Sequence, residues 1–421
     1  MTAPLPDGFR ITLDADARRL DDTTWFGGSP RRLLRLSAAG RRAFDALLTG
    51  PVDSRNTGIL ARRLTDAGLA HPRPPVAAAP DVTVVIPVRD RADLLDRCLA
   101  ALGSRYPVVV VDDGSRDPHA VAHTVARHGA TLVRRPVNGG AGPARNSGVA
   151  HVTTELVAFV DSDCESSADW IDRLAGHFAD PLVAAVAPRV AGELDHGDRP
   201  ALVHPHGRVS HVPTAALLVR RTLATFDETI RRGEDTDLVW RLHEEGWRVR
   251  YDPTVTVHHN EATSRPLARR FRYGKSAAPL AVRHPTAIRP LVLYPLPTLA
   301  VLALLARRPL AALAAYAVSV FALRRTTSPV DNAPKVMADA VYQTWRGIGR
   351  YAVRYASPVL AIAILAPGSS WRRAAACALL ACGRIEDVAY GLGVWHGCVT
   401  ERTIAPVRPV IARHASGRNA N

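Results

Sequence analysis

Between residues 82 and 160 the chain alternates short, continuous runs of aliphatic residues with amphipathic stretches. The aliphatic runs cover residues 82–87, 108–111, 131–133 and 156–160. A strand that is apolar along its whole length is buried on both faces, and strands that alternate with helices form a parallel sheet between helical layers. The pattern therefore predicts an α/β domain built on a mainly parallel sheet.

The segments on either side of this region differ from it in composition, and a chain of 421 residues is long enough for several domains. A proline-rich linker at residues 71–75 ends a first segment that contains short helices. We predict a winged-helix-like peptide-recognition domain at 1–75, the α/β domain at 76–285 and a helical, apolar C-terminal region at 286–421. A small helical cap on the α/β domain is an equally good interpretation of the first segment.

The C-terminal region contains two apolar runs, residues 291–306 and 309–323, and each is followed by an arginine pair. Neither run reaches the roughly 20 residues of a membrane-spanning helix. Short apolar helices beside arginines suit an anionic membrane surface. We therefore predict association with the cytoplasmic face of the cell membrane, as a peripheral or an integral protein. A pair of buried helices in a soluble region is the alternative.

Basic residues outnumber acidic ones by 54 to 39, which gives a net charge of +15 and indicates an anionic partner. The arginines are scattered and no N-terminal helix is clearly basic, so a DNA-binding or scaffold protein is the weaker alternative and we expect no nucleic-acid partner. The five cysteines form no C-x-x-C pair, and the chain starts without an apolar block. Both features indicate a reducing, intracellular compartment.

Polar groups lie where the predicted strands end, and ligands of open α/β sheets bind at that edge. These groups are Asp112-Asp113-Gly114-Ser115, Asp161-Ser162-Asp163 and His258-His259, together with Glu234-Asp235 at the start of a predicted helix. Any one of them is more often a turn or a helix cap, but four in this order indicate a binding site. Glycines at 139–142 open another predicted helix, which contains Arg145 and suits a phosphate group.

Together these motifs resemble the family 2 glycosyltransferases, which have the GT-A fold of nucleotide-diphospho-sugar transferases. The resemblance rests on residues 82–87, Asp112-Asp113-Gly114-Ser115, Ala144-Arg145-Asn146, Asp161-Ser162-Asp163 and Glu234-Asp235. It implies an inverting enzyme that uses a UDP-sugar donor and a divalent cation, Mg²⁺ or Mn²⁺.

The resemblance also implies roles for individual residues. Asp235 corresponds to the base that deprotonates the acceptor hydroxyl. Asp163 would bind the cation with Asp161 and His258, and His259 is the alternative to His258. The remaining candidates would bind the nucleotide sugar at its base, ribose or diphosphate: Pro87, Arg89, Asp112, Asp113, Arg145, Arg272 and Lys275, with Asp161 also facing the ribose.

Two further stretches, residues 212–221 and 272–278, resemble the transferases that glycosylate a peptide-derived redox cofactor precursor, as does the added N-terminal segment. This finer resemblance implies UDP-glucose as donor, a peptide-derived small-molecule acceptor and a short β-1,4-linked glucan. A lipid-linked or cell-wall glycan acceptor is the alternative. The Q-x-x-R-W segment of processive synthases is missing from the sequence, which favours short glycans over an exported polymer.

Overall fold

The computed structural model describes residues 3–75, 80–192, 194–260, 266–326, 333–365 and 370–412. It divides into two compact units, Met1–Ala262 and Thr263–Asn421. The first unit contains an N-terminal module (residues 3–75) and an α/β domain (residues 80–260).

The N-terminal module consists of short antiparallel strands and two helices. Its elements are β1 Arg10–Leu13, β2 Arg18–Arg19, β3 Thr24–Gly27, β4 Arg32–Arg35, α1 Ala38–Thr49, α2 Arg55–Asp66 and β5 Ala70–Arg73. β1 pairs with β5, and β2, β3 and β4 form a separate sheet. Ser54 and Thr57 form a capping box that starts α2. Phe44 and Leu47 of α1 pack with Leu64 of α2 in the core of the module.

The α/β domain alternates strands and helices around one large sheet. Its elements are β6 Val82–Val88, α3 Ala92–Leu102, β7 Val108–Asp113, α4 Pro118–Arg127, β8 Thr131–Arg135, α5 Ala141–Val149, β9 Leu156–Val160, β10 Cys164–Ser166, α6 Trp170–Ala175, β11 Val183–Ala191, β12 Ala201–Val203, β13 Ala216–Arg220, α7 Glu234–Glu244 and β14 Arg248–His259. In the described part of the chain this sheet has nine strands, eight of them in the order β10-β14-β11-β13-β9-β6-β7-β8, while β12 pairs with β14.

The strands β9, β6, β7 and β8 are parallel, as are β11 and β14. This confirms the mainly parallel sheet that the sequence predicted. The sequence did not predict β13, which lies antiparallel between β9 and β11. Because β13 runs the other way, its first residues lie beside the carboxyl end of β9. The segment that precedes Ala216 is thus next to Asp161, whose backbone N–H donates to the carbonyl of Ala215 at 3.0 Å.

The second unit is mainly helical, as the sequence predicted for the C-terminal region. It contains α8 Pro266–Arg283, β15 Val292–Leu293, α9 Pro295–Leu305, α10 Pro309–Thr326, α11 Ala333–Leu365, α12 Ser370–Leu380, α13 Ile385–Thr400 and β16 Val410–Ile411. α8 and α13 cross at glycines: a Cβ on Gly393 would stand 2.0 Å from the Phe271 carbonyl oxygen. Among the described residues, α11 alone has the length and hydropathy to cross a membrane.

A buried ion pair joins the N-terminal module to the α/β domain. Both guanidinium nitrogens Nη1 and Nη2 of Arg62 donate to the Asp180 carboxylate at 2.7 Å, and the two side chains are 2% and 1% exposed. A pair of charges this deep in the protein requires the attraction between them to offset the loss of hydration. The module is therefore held by a contact that does not tolerate the removal of one partner.

We predict that Arg62→Met lowers the free energy of unfolding of the chain by about 3–5 kcal/mol, because the Asp180 carboxylate would be left buried and unpaired. Chemical denaturation followed by circular dichroism measures this. The matched control is Arg63→Met, since Arg63 is the next residue and is exposed. The double variant Arg62→Met/Asp180→Leu should regain much of the loss. Equal stability of the two single variants would contradict the prediction.

Candidate active site

The loop after β6 is tied to the loop after β7 by hydrogen bonds. The Asp90 backbone N–H donates to Ser115 Oγ at 2.7 Å, and the Arg116 N–H donates to Asp90 Oδ1 at 2.8 Å. Pro87 is half-buried at the end of β6, and Arg89 is exposed one residue beyond the strand. Both residues, which the sequence predicted to bind the nucleotide, thus lie at the carboxyl edge of the sheet, as expected.

Asp112 and Asp113, at the end of β7, are 0% and 4% exposed and accept hydrogen bonds from the chain itself. Asp112 accepts from the Ser115 N–H at 2.8 Å and from Arg134. Asp113 accepts from Arg135 Nε at 2.9 Å and from the N–H groups of Gly139 and Gly140. Asp113 therefore shapes the glycine-rich loop before α5, while Asp112 holds the turn after β7. Their binding of base or ribose stays a prediction, and no sequence pattern indicated their arginine partners.

Arg145 connects the end of β9 with the start of α7. Its Nη2 donates to Asp161 Oδ1 at 2.7 Å and its Nη1 donates to Glu234 Oε1 at 3.1 Å, while the side chain is only 3% exposed. Burial alone lowers the pKa of the guanidinium, but the charges of Asp161 and Glu234 outweigh it and raise that pKa. Arg145 is thus a fixed cation at the centre of the acidic groups.

Asp163 faces both a histidine and an arginine. Its Oδ1 lies 3.4 Å from His259 Nε2, and its Oδ2 accepts from Arg91 Nη1 at 3.0 Å. Burial and then the charge of Asp161 raise the pKa of Asp163, against the opposite effect of His259 and Arg91. A divalent cation would remove this repulsion, so the local charge arrangement suits one.

The structure favours His259 over His258 as the histidine of this site. β10 and β14 pair so that Cys164 is opposite His259 and Glu165 is opposite His258. Neighbouring residues of a strand point to opposite faces, so only one of two consecutive histidines can face Asp163. His258 is exposed, so this geometry favours His259, and the role of either histidine as a cation ligand stays a prediction.

The groups around Asp163 fit a hard divalent cation. Ligand atoms of Asp163, His259 and Cys164 lie within 4.8 Å of one another. Burial, followed by the charges of Asp161 and Asp163, raises the pKa of the Cys164 thiol, which keeps it protonated. Carboxylate oxygens and one imidazole nitrogen then remain, a ligand set that suits Mg²⁺ or Mn²⁺.

Glu234 and Asp235 begin α7, just after Gly233, whose φ of 81° lies in the left-handed region. Asp235 Oδ1 accepts from the Thr236 N–H at 2.6 Å. Burial raises the pKa of Asp235, although Thr236 and Arg145 act in the opposite direction. Burial and the charge of Asp235 likewise raise the pKa of Glu234. Burial is thus the main reason why the pKa values of both acidic residues at the start of α7 are raised.

Arg272 and Lys275 lie exposed on α8 in the second unit. Their part in diphosphate binding stays a prediction. Arg91 contacts Asp163 but was absent from the predicted site. The only signal for it in the sequence was its place three residues beyond the apolar run of β6.

A mainly parallel sheet with carboxylates after β9, a histidine at the end of β14 and an acidic pair opening α7 defines a glycosyltransferase of GT-A fold. Residues 83–231 match the family model described as glycosyl transferase family 2. The chain is also 38% identical to the pre-mycofactocin glycosyltransferase of Mycobacterium tuberculosis, in an alignment 473 positions long that covers 98% of this chain and 100% of that protein. It therefore belongs to the family 2 glycosyltransferases.

Other similar proteins match over shorter parts or at lower identity. The O-antigen biosynthesis protein RfbC of Myxococcus xanthus is 28% identical over 49% of this chain and 20% of that protein. A solved mannosyltransferase from Pyrobaculum calidifontis, in complex with GDP-Man and Mn²⁺, is 22% identical with a TM-score of 0.43, covering 74% of this chain and 88% of that one.

We predict that His259→Ala weakens the binding of Mn²⁺ in the presence of UDP by about tenfold or more, a typical loss for one ligand or its support. His258→Ala is the matched control and should bind Mn²⁺ like the unmodified protein, because its side chain points away from Asp163. Isothermal titration calorimetry measures both. Equal losses in the two variants, or a loss in His258→Ala alone, would contradict the assignment.

Proposed function

We propose that this chain is an inverting, metal-dependent glucosyltransferase that transfers glucose from UDP-glucose to pre-mycofactocin, a peptide-derived redox cofactor precursor, and builds a short β-1,4-glucan. The observation that carries the transferase chemistry is the contact of Arg145 with both Asp161 and Glu234. It brings the carboxylates suited to a donor together with the acidic pair suited to an acceptor. Similarity to the M. tuberculosis protein along almost the whole chain supports the acceptor.

Asp235 is the base of this reaction. An acceptor hydroxyl is a weak nucleophile at neutral pH, and a carboxylate is most effective as a base when its pKa is raised toward the working pH. Burial of Asp235 has this effect. The acceptor would attack the sugar carbon from the side of Asp235, opposite the departing diphosphate. A single displacement of this kind inverts the configuration of an α-linked donor to a β-linkage.

The donor's diphosphate gains negative charge as the sugar leaves, and groups of opposite charge must already be in place. A divalent cation held by Asp161, Asp163 and His259 would supply part of this stabilisation. The carboxyl groups of Asp161 and Glu234 also keep Arg145 in one orientation, so that its positive charge stays between donor and acceptor. Asp112 and Asp113 are the candidates for binding the nucleobase and ribose, and Asp113 also holds the glycine loop.

The N-terminal module is a candidate for recognition of the peptide-derived acceptor. Its buried ion pair with the α/β domain, between Arg62 and Asp180, would hold a bound peptide at a fixed distance from Asp235. A lipid-linked or cell-wall glycan is the second candidate acceptor, and the exposed apolar side chains of the second unit favour it. Leu310, Leu313, Val318 and Phe321 of α10 are each more than half exposed, at 82%, 62%, 52% and 55%.

The same surface supports association with the cytoplasmic face of the membrane. Arg324 and Arg325 end α10, and the guanidinium of Arg325 lies 4.3 Å from the Phe321 ring centroid. An apolar cavity of about 690 Å³ lies among α9, α10 and α11, with Leu304, Leu313 and Trp345 in its lining. Apolar side chains beside arginines suit insertion into the interface of an anionic bilayer.

UDP-glucose turnover by the purified chain with Mn²⁺ or Mg²⁺ and the peptide-derived acceptor tests the transferase. Asp235→Asn should lower kcat by about 10²–10⁴-fold, the usual contribution of a general base. Glu245→Gln, at the exposed far end of α7, is the matched control and should keep full activity. Metal-independent turnover, or an Asp235→Asn variant as active as Glu245→Gln, would contradict the proposal.

We predict that the double variant Leu310→Glu/Phe321→Glu binds phosphatidylglycerol vesicles at least about tenfold more weakly than the unmodified chain, because each side chain loses apolar burial in the interface. Vesicle co-sedimentation measures the partition. Leu48→Glu is the control, since Leu48 is 48% exposed on α1. Membrane association would be refuted if the unmodified chain stayed in solution, or if the double variant bound like the control.

A further inference from the structure

Two consecutive non-glycine residues adopt left-handed backbone angles just after β6. Asp90 has a φ of 58° and Arg91 a φ of 57°. A side chain in this region crowds the backbone, so a single such residue is uncommon and two in a row are unfavourable. Such strain persists only where the surrounding structure imposes it, and it concentrates at functional sites.

The loop after β7 imposes this conformation. Ser115 Oγ accepts from the Asp90 N–H at 2.7 Å, while the Arg116 N–H donates to Asp90 Oδ1 at 2.8 Å. Ser115 is itself buried and donates its backbone N–H to Asp112 Oδ1 at 2.8 Å. The turn is therefore held from one side by the residues that end the neighbouring strand.

This turn directs Arg91 to the acidic site and not to the helix that it precedes. Arg91 occupies the N-cap of α3, where a short polar side chain normally accepts a hydrogen bond from the first turn, and it makes no such bond. Its Nη1 instead donates to Asp163 Oδ2 at 3.0 Å, while the side chain stays 51% exposed. Arg91 thus makes no helix-capping bond and has strained backbone angles, and its guanidinium lies at Asp163 as a result.

We propose that Arg91 exchanges partners during donor binding: it neutralises Asp163 in the donor-free enzyme and binds the donor diphosphate once the cation arrives. This inference rests on the proposed function, a metal-dependent use of a nucleotide diphosphate sugar. A divalent cation that binds Asp163 Oδ2 competes with the Arg91 guanidinium for that oxygen, because the two positive charges repel each other. The released guanidinium is half exposed on a long side chain, so it is free to turn to the nearby diphosphate, which it suits in shape and charge.

Arg145 cannot exchange partners in this way, although it contacts the neighbouring carboxylate. It is 3% exposed and bonded to both Asp161 and Glu234. Arg145 is therefore the fixed cation of the site and Arg91 the mobile one. A cation that binds alone competes with Arg91 for Asp163. A cation that binds together with a diphosphate does not, because the diphosphate becomes the new partner of Arg91.

The test compares two affinities in the same variant. Mn²⁺ binding to the nucleotide-free chain is followed by electron paramagnetic resonance of free Mn²⁺, and UDP binding at saturating Mn²⁺ by calorimetry. Arg91→Gln should bind Mn²⁺ alone several-fold more tightly and UDP about tenfold or more weakly, the range of one charged hydrogen bond. Arg91→Lys keeps the charge, so its affinities for Mn²⁺ and for UDP should lie between those of Arg91→Gln and those of the unmodified chain.

Arg97→Gln is the matched control. Arg97 is on the same helix, is 56% exposed and lies 3.7 Å from Glu165, away from Asp163. It should change neither affinity, which separates a specific exchange from a general loss of positive charge. Melting temperatures of all variants check that each one folds.

The shifts in opposite directions distinguish the proposal from simpler roles. The exchange would be overturned if Arg91→Gln changed the affinities for Mn²⁺ and UDP no more than Arg97→Gln does. It would also be overturned if Arg91→Gln changed both affinities in the same direction. If the unmodified chain bound both Mn²⁺ and UDP while Arg91→Gln showed no opposite shifts, this inference alone would fail. If the unmodified chain bound neither Mn²⁺ nor UDP, the proposed function would fail and the exchange with it.

Discussion

The active site depends on one buried guanidinium, that of Arg145. Asp161 follows β9, and Glu234 begins α7. The two residues are distant in sequence, and their carboxylates carry charges of the same sign. Arg145 Nη2 and Nη1 bond to the two carboxylates at 2.7 and 3.1 Å. Without this cation the acidic groups would repel each other inside the protein, where charges interact more strongly than in water. This contact places the acidic pair that opens α7 beside the carboxylate that follows β9.

The site still holds more negative charge than Arg145 neutralises. Burial raises the pKa of Asp163, Glu234 and Asp235, and the neighbouring carboxylates add to the effect at Asp163 and Glu234. A site in this state gains from every cation that enters, which gives a physical reason for a divalent ion to bind with the donor. Burial raises the pKa of the proposed base Asp235 as well, which suits a group that accepts a proton.

The parallel strands and the residues that end them were predicted from the sequence because both leave local signals. Continuous aliphatic runs mark buried strands, and Asp161-Ser162-Asp163 follows one of them directly. Three features left no such signal. The antiparallel β13 depends on pairing with distant strands, and the partners of Asp113 come from β8 and the glycine loop. The choice of His259 over His258 depends on strand register, where a shift of one residue reverses the face.

The N-terminal module is bonded through Asp14 to the segment before β13. Asp14 of the module is 4% exposed and accepts from Arg199 Nη2 at 2.8 Å and from Arg208 Nη1 at 3.0 Å. Two residues beyond Arg208, the carbonyl of Ser210 accepts from the indole of Trp240 at 2.7 Å, and Trp240 lies on α7, which begins with Glu234 and Asp235. Bonded groups therefore lead from Asp14 to the helix that carries the proposed base. Because the module supports this segment, its removal would disturb α7 even where no peptide is bound.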